Sequence, residues 1–261
     1  MTMRKRISSV FNQVRLWGRF GLRKAGISGY QIHVIELKDK QLIYIPIPKN
    51  ACSTIKHALY EIEYGKEFDY DWANEWGYED IHDYYKKRNH AFMGKNTLDS
   101  NPKTIFTVIR DPVKRLISCY RNRVVDLRDL EKSKPALHQR GLPLEPDLNT
   151  FVLRLEEYRQ ANKIIEHHSR PQYEFLGNGL AYIGKVFPLR RMDKLKKMLS
   201  ELKPDLQMKS EKSGGPSFNL ADLSEEALDK IINFYREDYN LLADYYSPEG
   251  IREAYQNTKK G

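Results

Sequence analysis

The chain of 261 residues is long enough for an α/β domain with a sizeable core, and its 40% hydrophobic content excludes a disordered protein. Its formal net charge of +9 at pH 7 indicates an anionic partner, without distinguishing a nucleotide, an acidic glycan, nucleic acid or an anionic membrane. Two cysteines, Cys52 and Cys119, exclude a disulfide scaffold and fit a reducing compartment. Neither zinc-ligand spacing nor a membrane-spanning apolar run occurs in the sequence.

The first 28 residues form a separate basic segment. No acidic residue occurs among the first 25, and apolar side chains recur at helical spacing, at Ile7, Val10, Phe11, Val14 and Trp17. The pattern predicts an amphipathic helix that either lies on an anionic membrane surface or packs against the rest of the protein. We therefore divide the chain into this segment, residues 1–28, and a domain over residues 29–261.

A strand-to-helix junction follows. Two strands are predicted over residues 32–37 and 41–47 as a hairpin, and the second runs directly into Pro48-Lys-Asn-Ala-Cys-Ser-Thr54 and a helix. Backbone N–H groups of such a turn and the positive end of the helix dipole converge on one point. Lys49 adds a full charge there, and Ser53 and Thr54 add hydroxyl donors. The junction predicts a site for a phosphate-like anion, although it lacks the G-x-x-x-x-G-K-[ST] spacing of ordinary ATPases and GTPases.

A second junction has the same architecture. The apolar, β-branched run at residues 104–109 predicts a central parallel strand that ends at Arg110. Asp111 and Pro112 are a favoured cap and first residue for the next helix. Ser118 lies roughly two helical turns further on. Arg110 and Ser118 can therefore hold one anion together, and a guanidinium suits a bidentate phosphate contact.

The remaining elements are predicted from periodicity and punctuation. Residues 68–88, rich in aromatic and acidic side chains, predict short helices over one edge of the sheet. Residues 126–146 are broken by prolines and a glycine, and predict a long exposed connection that could act as a lid or acceptor loop. Residues 148–165 and 193–202 are predicted to be helical. Ser224 is predicted to cap the terminal helix, with Glu225 and Glu226 in its first turn.

Together the two junctions resemble the motifs of sulfotransferases that use 3′-phosphoadenosine 5′-phosphosulfate (PAPS). The turn at residues 48–54 resembles their 5′-phosphosulfate loop, and residues 109–118, with Arg110 and Ser118, resemble their 3′-phosphate motif. The likeness covers about residues 40–246 and is closest to the carbohydrate branch, sulfotransferase family 2, which includes the heparan sulfate 2-O- and chondroitin sulfotransferases. In that branch the loop typically reads Pro-Lys-x-Ala-Ser-Thr-Ser, whereas this chain carries Cys52 where a serine is common.

The resemblance implies a P-loop-like three-layer α/β/α sandwich with a central parallel sheet. It implies an enzyme that transfers a sulfuryl group from PAPS to a hydroxyl, with a carbohydrate or glycolipid as the expected acceptor and adenosine 3′,5′-bisphosphate (PAP) as the product. No metal is expected, because protein cations meet the phosphates directly. The expected cofactor-binding residues are Lys49, Asn50, Ala51, Cys52, Ser53, Thr54, Arg110, Ser118 and Lys212, the last in a basic covering loop at residues 209–216.

Lys49 and His90 are the expected catalytic residues. Lys49 would stabilise charge on the leaving phosphate. In the heparan sulfate branch a catalytic histidine precedes the strand that corresponds to residues 104–109 at a distance similar to that of His90. An imidazole suits proton removal near neutrality. A solvent-exposed role for His90 and a carboxylate base, Glu79 or Asp80, stay open. His167 and His168 could line the acceptor cleft or cap a helix end.

Two other functions stay open. An ATP-dependent kinase of the P-loop type is disfavoured by the turn spacing and by the Arg110–Ser118 pair. A non-catalytic binder of acidic glycans or nucleic acid predicts no dependence on a 3′-phosphorylated nucleotide and a steep loss of binding with salt. On the favoured interpretation nucleic acid is not a partner. The expected location is cytoplasmic, and peripheral membrane contact through the N-terminal helix stays open.

Overall fold

The computed structural model describes residues 31–88, 90–208 and 217–260. The predicted amphipathic segment at residues 1–28 and the predicted covering loop with Lys212 lie outside the described residues. Over the described ranges, no helix combines the length and the apolar character that crossing a membrane requires.

The described part of the chain is built around a five-stranded sheet in the order β3-β1-β2-β4-β5. Its strands are β1 Gln31–Leu37, β2 Leu42–Ile45, β3 His90–Gly94, β4 Thr104–Ile109 and β5 Lys185–Pro188. Strands β2, β4 and β5 are parallel, with Tyr44 opposite Phe106 and Thr107 opposite Val186. Strand β1 runs antiparallel to β2 and β3. The predicted hairpin and parallel core are thus confirmed, and β1 makes the whole sheet mixed.

At least one α-helix follows each of the strands β2 to β5 along the chain. The helices are α1 Cys52–Tyr64, α2 Tyr70–Glu75, α3 Ile81–Arg88, α4 Lys95–Asp99, α5 Pro112–Cys119, α6 Lys134–Gln139, α7 Leu148–Leu153, α8 Leu155–Ala161, α9 Lys163–Ser169, α10 Tyr173–Leu176, α11 Met192–Ser200, α12 Glu225–Phe234, α13 Arg236–Leu241 and α14 Pro248–Lys260. Helix α5 continues as a π-helix over Tyr120–Asp126. Short 3-10 turns lie at Lys38–Lys40, Asp129–Ser133, Leu189–Arg191 and Leu220–Asp222.

Helices cover both faces of the sheet, which explains why β2 and β4 are almost uninterrupted apolar runs. On one face Tyr44 and Phe106 stack with ring centroids 4.9 Å apart and pack with Leu59 of α1. On the other face Ile43 packs with Leu176 of α10. A further apolar cluster joins α5 to α7, α12 and α14. The result is the predicted three-layer α/β/α arrangement.

The segment at residues 126–146 is not the exposed connection that its composition predicts. It folds into the 3-10 turn Asp129–Ser133 and helix α6, because Leu130, Leu137 and Leu142 are buried in the helical cluster. The residues that predicted a loop are accommodated locally: Pro135 lies in the first turn of α6 and Gly141 adopts a positive φ just after it. This segment is therefore part of the folded body.

Two predicted helices are interrupted. Residues 148–165 form α7, α8 and the start of α9, and Asn162 caps α9 by accepting from the N–H groups of Ile164 and Ile165. Ser224 caps α12 as predicted, by accepting from the Ala227 N–H. However, α12 ends at Phe234 and two further helices follow it.

Candidate anion-binding active site

A cavity of about 910 Å³ lies at the carboxyl ends of β2 and β4, and both predicted anion motifs line it. The contributing residues are Lys49, Ala51, Cys52, Ser53 and Thr54 from the first junction and Arg110 and Ser118 from the second. The carboxyl ends of parallel strands are the usual place for a ligand crevice in an open α/β sheet. The structure therefore brings together residues from the two motifs that the sequence separates.

The turn before α1 is held in an uncommon backbone conformation. Lys49 has φ 69° and Ala51 has φ 59°, a region that costs a residue other than glycine of order 1 kcal/mol. Two arginines stabilise the turn by hydrogen bonds to its carbonyl groups. Arg115 Nε donates to the Pro48 carbonyl at 3.0 Å, and Arg110 Nη1 donates to the Lys49 carbonyl at 3.2 Å. The second contact joins the two motifs directly.

The amino terminus of α1 has donors available for an anion. Its cap residue, Ala51, makes no side-chain cap bond, so the N–H groups of the first turn are not covered by the protein's own acceptor. At α5 the situation differs, because Asp111 accepts from the N–H groups of Val113 and Lys114. The first junction can therefore use its helix end for an anion, whereas the second relies on the side chains of Arg110 and Ser118.

Lys49 is the cation of the turn. Its Nζ donates to Asn122 Oδ1 at 2.6 Å, and burial lowers its pKa to about 8. Asn122 lies on the π-helix that continues α5 and also lines the cavity. The ammonium is thus directed into the cavity by a neutral partner, which leaves its charge available to a ligand. Nothing in the sequence motifs pointed to Asn122.

A buried amide network ties the two motifs together behind the cavity. Asn50 donates to the Val108 carbonyl at 2.9 Å and to Gln172 Oε1 at 2.7 Å. Gln172 also accepts from the Arg110 N–H and donates to the Arg110 carbonyl. Asp238 accepts from the N–H groups of Gln172 and Tyr173. Burial raises the pKa of Asp238 to about 6. Asn50, a predicted cofactor-binding residue, thus uses its side chain to hold the scaffold.

Replacement of Gln172 by alanine is expected to lower the free energy of unfolding by about 2–4 kcal/mol, because it strands buried amide groups of Asn50 and Arg110. Urea denaturation measures this change. The matched control is Gln139→Ala, since Gln139 is exposed at the end of α6 and should change stability by less than about 0.5 kcal/mol. Equal effects of the two substitutions would contradict the network's role.

The cavity is strongly cationic. Beyond Lys49 and Arg110, Lys56, Arg121 and Arg123 line it, and Asp80 is the one carboxylate among the described lining residues. Of the two acids predicted as alternative bases, Asp80 therefore reaches the cavity, whereas Glu79 is exposed. This balance of charge suits a ligand with several negative charges.

Four histidines line the cavity: His33, His82, His167 and His168. His168 Nδ1 lies 2.9 Å from the Ile164 carbonyl, and a carbonyl only accepts, so Nδ1 carries the proton and Nε2 is a free acceptor in the neutral ring. Burial lowers the pKa of His168 to about 2 and that of His167 to about 4, which keeps both rings neutral. His82 was not singled out by the sequence.

Apart from Asn50, which lies behind the cavity, His90 and Lys212 are the predicted site residues that are absent from the described lining. His90 begins the edge strand β3, which is two strands away from β2, and pairs with Ile35 of β1. Its side chain, like Lys212, lies outside what the structure describes. The catalytic role of His90 stays a prediction.

The fold and the site together define a class of protein. A parallel α/β core with an anion-binding turn and a helix amino terminus at its strand ends is a P-loop-like phosphate-binding architecture. Residues 33–246 match the model of the Sulfotransferase family (sulfotransferase family 2), so the chain belongs to this family, as predicted. Searches of curated proteins and of solved structures gave no match.

Proposed function

We propose that this protein transfers a sulfuryl group from PAPS to a hydroxyl of a carbohydrate or glycolipid acceptor. Membership of the sulfotransferase family supports sulfuryl transfer in general. The observation that carries the finer proposal is that the Lys49 turn and the Arg110–Ser118 pair line one cavity, with Arg110 Nη1 3.2 Å from the Lys49 carbonyl. A single donor with phosphates at both ends can therefore be held by both motifs at once.

The lining residues fit such a donor. The volume of about 910 Å³ and the excess of cations suit a nucleotide with several negative charges. Ser53, Thr54 and the first-turn N–H groups of α1 would hold the 5′-phosphosulfate, and Arg110 with Ser118 would hold the 3′-phosphate. An adjoining cavity of about 580 Å³ shares Arg110 and Leu189 and adds Lys114 and Arg190, which extends the cationic surface beyond the guanidinium.

The reaction needs two groups of the protein, the Lys49 ammonium and a general base. PAPS supplies the activated sulfuryl group, and its nucleotide leaves as PAP. The Lys49 ammonium, released from Asn122, would donate to the phosphate oxygen on which charge develops. A base must accept the proton of the acceptor hydroxyl.

Two histidines are candidates for that base. The family resemblance assigns the role to His90. The cavity offers His168 as the second candidate, because its Nε2 lone pair is free while Nδ1–H is fixed on the Ile164 carbonyl. Burial is the main cause of its low pKa, so a bound polyanion would raise that pKa only by offsetting the smaller contributions of Arg123 and Lys49. The acceptor class follows from the likeness of the Lys49 turn to that of the carbohydrate branch.

Thermal unfolding with three nucleotides tests the proposal. The protein is melted with PAP, with ADP and with ATP–Mg²⁺ at equal concentrations. A ligand at 100 times its Kd adds about 2.7 kcal/mol of stability. We expect stabilisation by PAP alone, lost in Lys49→Ala and Arg110→Ala and retained in Lys86→Ala, which removes an exposed lysine of α3. A shift only with ATP–Mg²⁺ would favour a kinase, and no shift with any nucleotide would favour a non-catalytic binder.

Affinity for PAP is expected to fall as pH rises above about 8. Burial lowers the pKa of Lys49 to about 8, so Lys49 loses its charge above that pH in the free protein. A bound anion favours the ammonium, so Lys49 keeps its proton in the complex. The complex then binds more protons than the free protein, and affinity falls by up to about tenfold per pH unit. Calorimetric titration from about pH 6.5 to about pH 9.5 measures the slope. Lys49→Arg, whose charge does not titrate in this range, should give a flatter profile, and identical slopes would contradict the assignment to Lys49.

A further inference from the structure

A histidine outside both motifs contacts the first turn of α1. His82 Nε2 lies 2.8 Å from Ser53 Oγ, and His82 Nδ1 lies 3.0 Å from Lys56 Nζ. All three residues line the cavity, with Ser53 and Lys56 on α1 and His82 on α3. Both ring nitrogens of His82 are therefore occupied, which distinguishes it from His168.

The chemistry of Lys56 fixes the direction of both hydrogen bonds. A lysine ammonium has only donors, so Lys56 donates to Nδ1 and the proton of the neutral ring must lie on Nε2. Nε2–H then donates to Ser53 Oγ. Because Ser53 accepts this bond, its own hydroxyl proton remains free to be donated to a ligand. With the opposite tautomer Ser53 would give its proton to His82 and present lone pairs to an anion.

From this geometry we propose that Lys56 and His82 are positioning residues that hold the Ser53 hydroxyl as a donor toward the bound anion. This inference rests on the proposed function, because it concerns the end of the donor that the Lys49 turn would hold. His82 would act through Ser53, and Lys56 through His82.

Burial and charge are consistent with this arrangement. Lys56 is only 6% exposed, yet Asp80 lies close enough to favour its charged form against the burial that lowers its pKa. Burial, followed by the charge of Lys56, lowers the pKa of His82 to about 4, so the ring is neutral near pH 7. A neutral ring carries the single proton that the hydrogen bonds from Lys56 to His82 and from His82 to Ser53 require. The helix amino terminus adds uncovered N–H groups beside the same hydroxyl.

A double-mutant cycle tests the proposal through the calorimetric Kd for PAP. Ser53→Ala and His82→Ala are each expected to weaken binding about tenfold, and the double variant no more than Ser53→Ala alone, because His82 acts through Ser53. If the double variant binds PAP about a hundredfold more weakly, the two substitutions act independently, and this would overturn the proposal that His82 acts through Ser53. Failure of the unsubstituted protein to bind PAP would instead contradict the proposed function.

Conservative variants separate positioning from packing. The amide of His82→Gln can accept from Lys56 through oxygen and donate to Ser53 through nitrogen, so this variant should bind PAP within about threefold of the unsubstituted protein. Lys56→Met removes the donor to Nδ1 and should weaken binding although His82 is retained. Circular dichroism of each unliganded variant establishes folding. Equal weakening by His82→Gln and His82→Ala, with both folded, would overturn the proposal.

Discussion

Lys49→Ala is expected to lower the rate of sulfuryl transfer by about 10²–10³-fold, the range found when a preorganised donor to developing charge is removed. Lys49 is suited to this role because its ammonium enters the cavity from the turn and is held at 2.6 Å by the neutral Asn122. The measurement is the initial rate of PAP release from PAPS with an acceptor selected from a panel of carbohydrates. Lys86→Ala is the matched surface control.

The stability of Lys49→Ala separates catalysis from folding. Burial lowers the pKa of Lys49, which means that its charged form is disfavoured in the folded, unliganded protein. Removing this charge should therefore leave the free energy of unfolding unchanged or raise it. A variant that keeps its activity, or that loses activity only because it unfolds, would contradict the role assigned to the ammonium.

Loss of the base is the second large effect. Replacing it by alanine is expected to lower kcat by about 10²–10⁴-fold while leaving stabilisation by PAP intact, since the base acts on the acceptor and not on the nucleotide. His90→Ala and His168→Ala are compared at saturating PAPS. The control is His138→Ala, because His138 is exposed on α6.

The pattern of loss assigns the role. A large loss of kcat in His168→Ala alone would identify the cavity histidine with the free Nε2, and a large loss in His90→Ala alone would confirm the family resemblance. Substantial activity in both variants would remove both histidines from the role and leave Asp80, the carboxylate on the cavity wall, as the next residue to replace.

Both strand-to-helix junctions could be predicted from sequence because their physics is local. A buried β-branched run, a cap and a first-turn hydroxyl all lie within a few residues of Lys49 or Arg110, and the sheet register then places both strand ends side by side. The supporting contacts are not local. His82 lies 29 residues from Ser53, and Gln172 lies 122 residues from Asn50, so no spacing rule connects them.

The misread segment at residues 126–146 shows the same limit. Its prolines, glycine and charges predict an exposed connection. They correctly predict where the chain turns, since Pro135 lies in the first turn of a helix and Gly141 follows its end. What they miss is that Leu130, Leu137 and Leu142 have a partner surface in the helical cluster around α5 and α7. Burial against distant helices outweighs local turn chemistry there, and such burial becomes visible only once the fold is assembled.

The proposed function requires that one cavity binds a nucleotide through phosphates at both of its ends. The most direct test is calorimetric titration with PAP and with AMP, which differ only in the 3′-phosphate. The unsubstituted protein should bind PAP at least about tenfold more tightly than AMP, because Arg110 makes charge-assisted hydrogen bonds to that group. In Arg110→Ala the preference should largely disappear. Equal affinity of the unsubstituted protein for PAP and AMP would contradict the account.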